Sequence, residues 1–150
     1  MGSLALAQAN FSINEFFRQS LVEIAKKERP KECCGIIATY NDTPVAIYQL
    51  KNDHPHPRIA WAFSLEEQYS TTIDLKKKNW EVGAIFHSHP SGDAFPSDSD
   101  VKNAYYPVPY IIIGFTPRVD IRTFLIIERD FWIALPDSEE GKYLSNKKAI

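Results

Sequence analysis

The chain has 150 residues, of which 44% are hydrophobic and 24% charged, and its formal net charge is -2 at pH 7. A chain of this length and composition is typical of one globular domain, and its charge balance lacks the basic surplus of nucleic-acid-binding proteins. The apolar runs are too short to cross a membrane, and no secretory leader is recognisable. The two cysteines, Cys33 and Cys34, are adjacent, which does not suit a disulfide scaffold. We therefore expect a cytoplasmic protein.

The first part of the chain predicts one helix followed by strands. Apolar residues recur at helical spacing from Ser12 to Arg29, and Pro30 follows the basic end of this segment. The apolar or β-prone runs Cys33–Tyr40, Val45–Leu50 and Ile59–Phe63 predict three strands.

The second part alternates helices with strands. Ser64 and Glu67 have the spacing of a capping box, which predicts a helix from Ser64 to about Asn79. A strand follows, then a short helix from Ser97 to about Tyr105, and then further strands; the predicted strands are Val82–His87, Val108–Phe115, Ile121–Ile127 and Phe131–Leu135. This order predicts an α/β protein of the α+β type, with a single mixed β-sheet flanked by helices.

The organisation along the chain is simple. Residues 1–12 are interpreted as an N-terminal extension, residues 13–136 as the single folded domain, which carries the candidate site described below, and residues 137–150 as a polar C-terminal tail. No internal repeat or low-complexity segment interrupts this pattern.

The run from His87 to Asp100 predicts a metal site. His87 and His89 are two residues apart on a predicted strand, so both side chains lie on one face, and Asp100 follows at the start of the short helix. Three protein ligands with one open position are typical of a hydrolytic zinc site. Taken alone, Ser97 and Asp100 form an ordinary helix cap and the histidines an ordinary packed pair. The joint occurrence of the histidine pair and the Ser97–Asp100 pattern favours a metal site over these two ordinary interpretations.

A hydrolytic zinc site also needs a base, and Glu32 is the candidate. It lies just before the first predicted strand, from which a carboxylate can reach a water on a metal held by a neighbouring strand. From spacing alone, the alternative is that Glu32 is an ordinary exposed glutamate at a helix-strand junction.

Other conspicuous residues have simpler interpretations. His54 and His56 lie in a proline-broken segment and are interpreted as part of a surface loop; the alternative is a loop that contacts the substrate or supports the metal ligands from behind. Gly92 is expected to permit the backbone geometry of the loop after His89. The three tryptophans are expected to pack in the core or at its rim.

Three motifs together resemble the JAMM (MPN-plus) metalloproteases. They are Pro-x-Glu-x-Cys-Gly around Glu32, His-x-His-Pro-x-Gly from His87, and Ser-x-x-Asp from Ser97 to Asp100. The chain is similar to the compact prokaryotic members of that family over roughly residues 13–135. The resemblance implies a fold similar to that of cytidine deaminase.

The resemblance also implies roles for individual residues. His87, His89 and Asp100 would ligate one Zn2+ with a bound water, Glu32 would deprotonate that water and pass the proton to the leaving amine, and Ser97 would hydrogen-bond the water or the developing oxyanion.

The implied substrate is the amide bond after the C-terminal Gly-Gly of a ubiquitin-like or sulfur-carrier protein, cleaved by a monomer or homodimer. The alternatives are a phage-tail-type or general small-peptide zinc hydrolase and, less favoured, a non-catalytic MPN binding scaffold.

Overall fold

A computed structural model of the protein describes residues 10–128 and 131–136. Within these residues the chain forms three helices and six strands: α1 (Glu15–Glu28), β1 (Cys34–Tyr40), β2 (Thr43–Leu50), α2 (Leu65–Lys78), β3 (Glu81–His89), α3 (Asp98–Lys102), β4 (Tyr110–Gly114), β5 (Asp120–Glu128) and β6 (Phe131–Ala134). In this part of the chain no helix has the length and apolar character needed to cross a membrane. The predicted tail 137–150 and residues 1–9 of the predicted extension lie outside the described residues.

The six strands form one mixed sheet in the order β2-β1-β3-β4-β5-β6. Strands β3 and β4 are parallel, and every other neighbouring pair is antiparallel. The central pair is parallel because the segment carrying α3 crosses over between β3 and β4. The predicted mixed sheet with flanking helices is therefore confirmed.

The two faces of the sheet bury different sets of side chains. Helix α1 covers one face, where its apolar stripe joins a cluster that includes Phe17, Leu21, Phe86 and Ile111. On the opposite face a second cluster includes Val101 of α3, Ile112, Phe124 and Trp132. Successive side chains along β3 point to opposite faces of the sheet, so Phe86 lies on the α1 face and the next residue, His87, lies on the other. The histidine pair thus lies on the face away from α1.

Polar side chains cap the two long helices. The Asn14 side chain accepts a hydrogen bond from Phe17 N (3.0 Å) at the start of α1, and Ser64 Oγ accepts one from Glu67 N (3.3 Å) at the start of α2. The predicted capping box at Ser64 is only half formed, because Glu67 Oε1 instead accepts a hydrogen bond from Lys51 N at 2.7 Å. Helix α2 is thereby tied to the end of β2.

The predicted strand Ile59–Phe63 is wrong. This segment forms a turn followed by irregular backbone, with a single isolated bridge between Asn52 and Phe63. The Asn52 side chain accepts hydrogen bonds from His54 N and Ala62 N, so it occupies backbone donors that a strand would give to a neighbouring strand. Residues 52–63 are called the Asn52 loop below.

Candidate metal centre

Strand β3 brings the two histidines together at its C-terminal end. The strand extends through His89, beyond its predicted end at His87, and the side chains of both residues lie on one face. Their Nε2 atoms are 3.2 Å apart. A regular strand is therefore sufficient to make the two imidazoles converge.

Helix α3 brings Asp100 to the same point. Its Oδ1 lies 3.1 Å from His87 Nε2 and its Oδ2 lies 3.0 Å from His89 Nε2. The three side chains offer ligand atoms that all lie within 4.8 Å of one another. Two imidazole nitrogens and one carboxylate form a donor set that suits zinc, and the three residues therefore fit a metal with one further position for a water or substrate.

The same carboxylate completes a helix cap. Ser97 Oγ accepts a hydrogen bond from Asp100 N at 3.1 Å, and Asp100 Oδ2 accepts one from Ser97 N at 2.9 Å. The predicted capping box is thus formed in full at α3. The cap and the side-chain cluster are not alternatives, because the cap holds the Asp100 carboxylate where both histidines reach it.

The ring of His89 is oriented from its far side. Its Nδ1 lies 2.8 Å from the carbonyl oxygen of Asp93, which requires the proton on Nδ1 and leaves the Nε2 lone pair for a ligand. The backbone at Asp93 and Ala94 packs on Gly114, where an added Cβ would come within 2.4 Å of both Asp93 C and Ala94 N. Gly114 is therefore the glycine that this site needs.

The expectation for Gly92 is wrong. Its φ is not in the left-handed region, and a Cβ there would meet its nearest neighbour, the Cβ of His89, at an ordinary 3.4 Å. Sequence inspection singles out Gly92 because it lies only three residues after His89, whereas Gly114 contacts the same loop from another strand.

Glu32 lies beside His89 because of the β1–β3 register. Cys34 pairs with His87 across the antiparallel strands, so the continuation of that register sets Glu32 against His89 on the same face. Glu32 is not an exposed surface residue: it is only 5% exposed, and its Oε1 is buried without a hydrogen-bond partner among the described residues. A buried carboxylate oxygen without a protein partner fits a group that handles a water or a substrate proton.

The charges of the site are strongly coupled. Burial raises the pKa of the Glu32 carboxyl to about 8, with a smaller opposing effect of His89 and a further increase from Asp100. Burial alone would raise the pKa of Asp100, but His87 and His89 hold it well below its usual value. The pKa of His89 is raised, since its contacts with Asp100 outweigh the effect of burial. The two histidines thus favour the ionised form of Asp100, whereas burial favours the protonated form of Glu32 in the metal-free site.

The Asn52 loop forms a wall beside Glu32. Asn52 Nδ2 donates hydrogen bonds to Glu32 O (3.0 Å) and Ala60 O (2.9 Å), and Glu32 N donates one to Pro57 O (2.7 Å). Both backbone polar groups of Glu32 are therefore fixed by this loop. Sequence reasoning missed the role of Asn52, although an asparagine directly before a proline-rich segment is a common signal of side-chain-organised turns.

A cleft of about 470 Å³ opens beside the three clustered side chains. His87, Asp100 and Ser97 line it, and so does His54, whereas His56 does not belong to its walls. His54 Nδ1 accepts a hydrogen bond from His56 N (2.9 Å), so the remaining ring nitrogen of a neutral His54 carries the proton. The remaining walls are mostly aromatic and aliphatic, with Trp61, Phe63, Tyr105, Tyr110 and Ile112 among them.

Residues 16–127 match the model of a protein family described as prokaryotic homologs of the JAB domain. A solved solution structure of a protein from Desulfitobacterium hafniense superimposes with a TM-score of 0.71 at 23% identity, covering 89% of this chain and 99% of that chain. This likeness supports the fold.

Three relatives are similar in sequence. A probable TtuB-protein conjugate cleaving protease of Thermus thermophilus is 35% identical over 102 residues, which are 68% of this chain and 66%, just under two thirds, of that protein. A desampylase of Haloferax volcanii is 27% identical over 108 residues, covering 68% of this chain and 78% of that protein. A CysO-cysteine peptidase of Mycobacterium tuberculosis is 25% identical over 114 residues, covering 73% of this chain and 77% of that protein.

Proposed function

The chain belongs to the family of prokaryotic homologs of the JAB domain, and from this premise we propose that it is a zinc-dependent peptidase. It hydrolyses the amide bond after the C-terminal Gly-Gly of a ubiquitin-like or sulfur-carrier protein in the cytoplasm. The observation that carries the proposal is the convergence of His87, His89 and Asp100 beside a buried Glu32 carboxyl that lacks a protein partner. A buried carboxyl without a protein partner beside three clustered ligand residues favours catalysis over a binding scaffold.

The residues divide the chemistry between them. His87, His89 and Asp100 would hold the metal, and the chemistry that it would supply is polarisation of the scissile carbonyl and a lower pKa, of about 7, for a bound water. Glu32 takes one proton from the attacking water as the new C–O bond forms. It returns that proton to the amide nitrogen as the C–N bond breaks, which yields a carboxylic acid and a free amine.

Ser97 has a positioning and a binding role in this proposal. Its backbone N–H and Oγ hold Asp100 through the capping box, and its side chain lines the cleft. The hydroxyl hydrogen is not used by the bond from Asp100 N, since Oγ accepts in that bond. It is therefore available to donate to the oxygen of the scissile carbonyl.

The names of the relatives support the substrate class. One relative is named for cleaving TtuB-protein conjugates, and another is named as a peptidase of CysO-cysteine. An extended Gly-Gly tail is slim enough to enter a cleft beside a sheet, and the larger part of the substrate remains outside. The leaving group of such a reaction is a lysine side chain, a peptide or a single amino acid.

The decisive experiment follows the intact mass of a sulfur-carrier protein that bears a C-terminal extension after Gly-Gly. Zinc-loaded enzyme is expected to remove the extension, and Glu32→Gln enzyme or enzyme with a chelator is not. Glu32→Gln should still bind zinc, because the ligands are unchanged. Loss of the extension with Glu32→Gln enzyme would refute the role of the carboxylate.

The ligand assignment has its own test. His89→Ala is expected to lose stoichiometric zinc, since two remaining ligands hold the metal weakly. A chain that neither binds zinc nor responds to Glu32→Gln would instead be a binding scaffold.

A further inference from the structure

The two histidines of the site are held in different ways. His89 uses its Nδ1 to bind the Asp93 carbonyl, as metal-ligating histidines usually do. His87 has no such bond: its Nδ1 is buried, and among residues 10–128 and 131–136 no group pairs with it. Because His87 is 1% exposed, something other than a hydrogen bond at Nδ1 must set the plane of its ring.

The indole ring of Trp61 lies on His87. The two ring centroids are 5.3 Å apart and the planes differ by 26°, which is a stacked arrangement. Trp61 also contacts the ring of Phe63, and these two ring centroids are 5.0 Å apart. Trp61 is half-buried in the cleft wall and belongs to neither of the buried clusters found in the described part of the chain. Its ring contacts are therefore with the site and not with the core.

The Asn52 loop fixes Trp61 from both sides along the chain. Ala60 O accepts a hydrogen bond from Asn52 Nδ2 at 2.9 Å, and Ala62 N donates one to Asn52 Oδ1 at 3.1 Å. The backbone on either side of Trp61 is thus held by one side chain, which keeps the residue beside His87, and the ring contacts with His87 and Phe63 then orient the indole.

We propose that Trp61 is a positioning residue for His87. The indole of Trp61 stacks on the imidazole of His87 and holds it so that Nε2 points to the metal position. This inference rests on the proposed metal function of the site. Stacking replaces, at His87, the hydrogen bond that Asp93 supplies at His89.

The stack also favours the metal-loaded state. An imidazole that gives its lone pair to a divalent cation becomes electron-poor, and the electron-rich face of an indole attracts such a ring. A phenyl ring provides a weaker version of the same contact and an aliphatic side chain provides none. Metal affinity should therefore decrease in the order Trp, Phe, Leu at position 61.

The experiment measures zinc dissociation constants by competition with a chromophoric chelator for the full chain and for Trp61→Phe and Trp61→Leu. Trp80→Phe is the matched control, because Trp80 contacts Lys78 and lines a different cavity. Trp61→Leu is expected to bind zinc about 10- to 100-fold more weakly, the usual loss when the support of a ligand is removed. Trp61→Phe should fall in between, and Trp80→Phe should match the unmodified chain.

A spectroscopic signature separates positioning from a general structural defect. Co2+ bound at the site should give visible d–d absorption bands, whose position and intensity report the geometry of its ligands. These bands should change in Trp61→Phe and Trp61→Leu and stay the same in Trp80→Phe. Circular dichroism confirms that each variant is folded, and Trp61→Phe remains informative if Trp61→Leu does not fold.

The outcomes that overturn the inference are distinct from failure of the proposed function. Folded Trp61→Phe and Trp61→Leu that bind zinc as tightly as the unmodified chain would overturn the role of Trp61 while leaving the metal site standing. An unmodified chain that binds no zinc would overturn the proposed function and this inference together.

Discussion

Ser88 and Cys33 exchange two hydrogen bonds across β3 and β1. Cys33 N donates to Ser88 Oγ at 2.8 Å, and Ser88 N donates to Cys33 O at 3.1 Å. Ser88 stands between the two histidines, and Cys33 follows Glu32 directly. This pair therefore locks the segment that carries the proposed base to the strand that carries the proposed ligands.

Replacing Ser88 should separate catalysis from metal binding. Ser88→Ala leaves the buried Cys33 N–H without its acceptor, which we expect to cost about 1–3 kcal/mol of unfolding free energy. Glu32 loses its alignment, so the rate of cleavage should decrease by at least about tenfold while zinc stays bound. Denaturant unfolding, zinc content and turnover check this. Ser88→Thr keeps the hydroxyl and is the control; equal activity of Ser88→Ala and the unmodified chain would contradict the alignment.

Substitution by alanine should weaken zinc binding at one of two glycines near the site and have little effect at the other. Gly114→Ala forces a Cβ against the backbone of Asp93 and Ala94, displacing the carbonyl that orients His89. We expect zinc affinity to decrease by about 10- to 100-fold. Gly92→Ala has room for its Cβ and should change zinc affinity little. Chelator competition measures both, and a larger loss in Gly92→Ala would refute this account.

The buried Glu32 makes the stability of the metal-free protein depend on pH. Its folded pKa of about 8 lies above the ordinary value of 4.5, so the folded state binds this proton more tightly than the unfolded state does. Its contribution is fully present below about pH 4.5 and is lost as the pH rises towards 8. Relative to Glu32→Gln, the metal-free protein should therefore lose unfolding free energy over that range.

Parallel denaturant titrations of the two metal-free proteins between pH 5 and 8 measure this difference. Zinc should reduce it, since a nearby cation favours the ionised carboxylate. An unfolding free energy that varies with pH identically in both proteins would show that Glu32 keeps an ordinary pKa.

The cysteines should be inert while the protein is folded. Burial raises the pKa of the Cys33 thiol to about 12, and burial also raises the pKa of Cys34 well above its usual value. At pH 8 the thiolate population of Cys33 is roughly a thousandfold below that of a free cysteine. Iodoacetamide should leave activity intact, whereas chelators abolish it.

Mass spectrometry after alkylation provides the check. The unfolded chain should take up two labels, one for each cysteine. Rapid labelling of the native protein would mean that β1 opens readily, and loss of activity in step with labelling would contradict the inert role of both thiols.

Local patterns were enough to predict most of the fold. The apolar stripe of α1, the β-prone runs of the sheet and the cap of α3 are each set by neighbours in sequence. The same holds for His87 and His89, because a strand's period of two decides their common face. The placement of Asp100 follows from its cap.

The remaining features depend on contacts between residues far apart in sequence. The Ile59–Phe63 part of the Asn52 loop resembles a strand in composition. The shape of the loop is instead decided by the Asn52 side chain, which binds backbone groups of the loop and of Glu32. The stacking of Trp61 on His87 and the contact of Gly114 with Asp93 likewise join separate segments. No local pattern encodes such contacts.

The order in which the chain is synthesised gives the Gly114 contact a further meaning. Every proposed functional group has been made once the ribosome reaches Asp100, yet the carbonyl that orients His89 rests on Gly114, and β4 must pair with β3 to bring it there. A nascent chain that ends near Asp100 contains every proposed functional side chain but lacks the contact that holds the Asp93 carbonyl against His89. The proposed site is therefore assembled only after β4 has been made and has paired with β3.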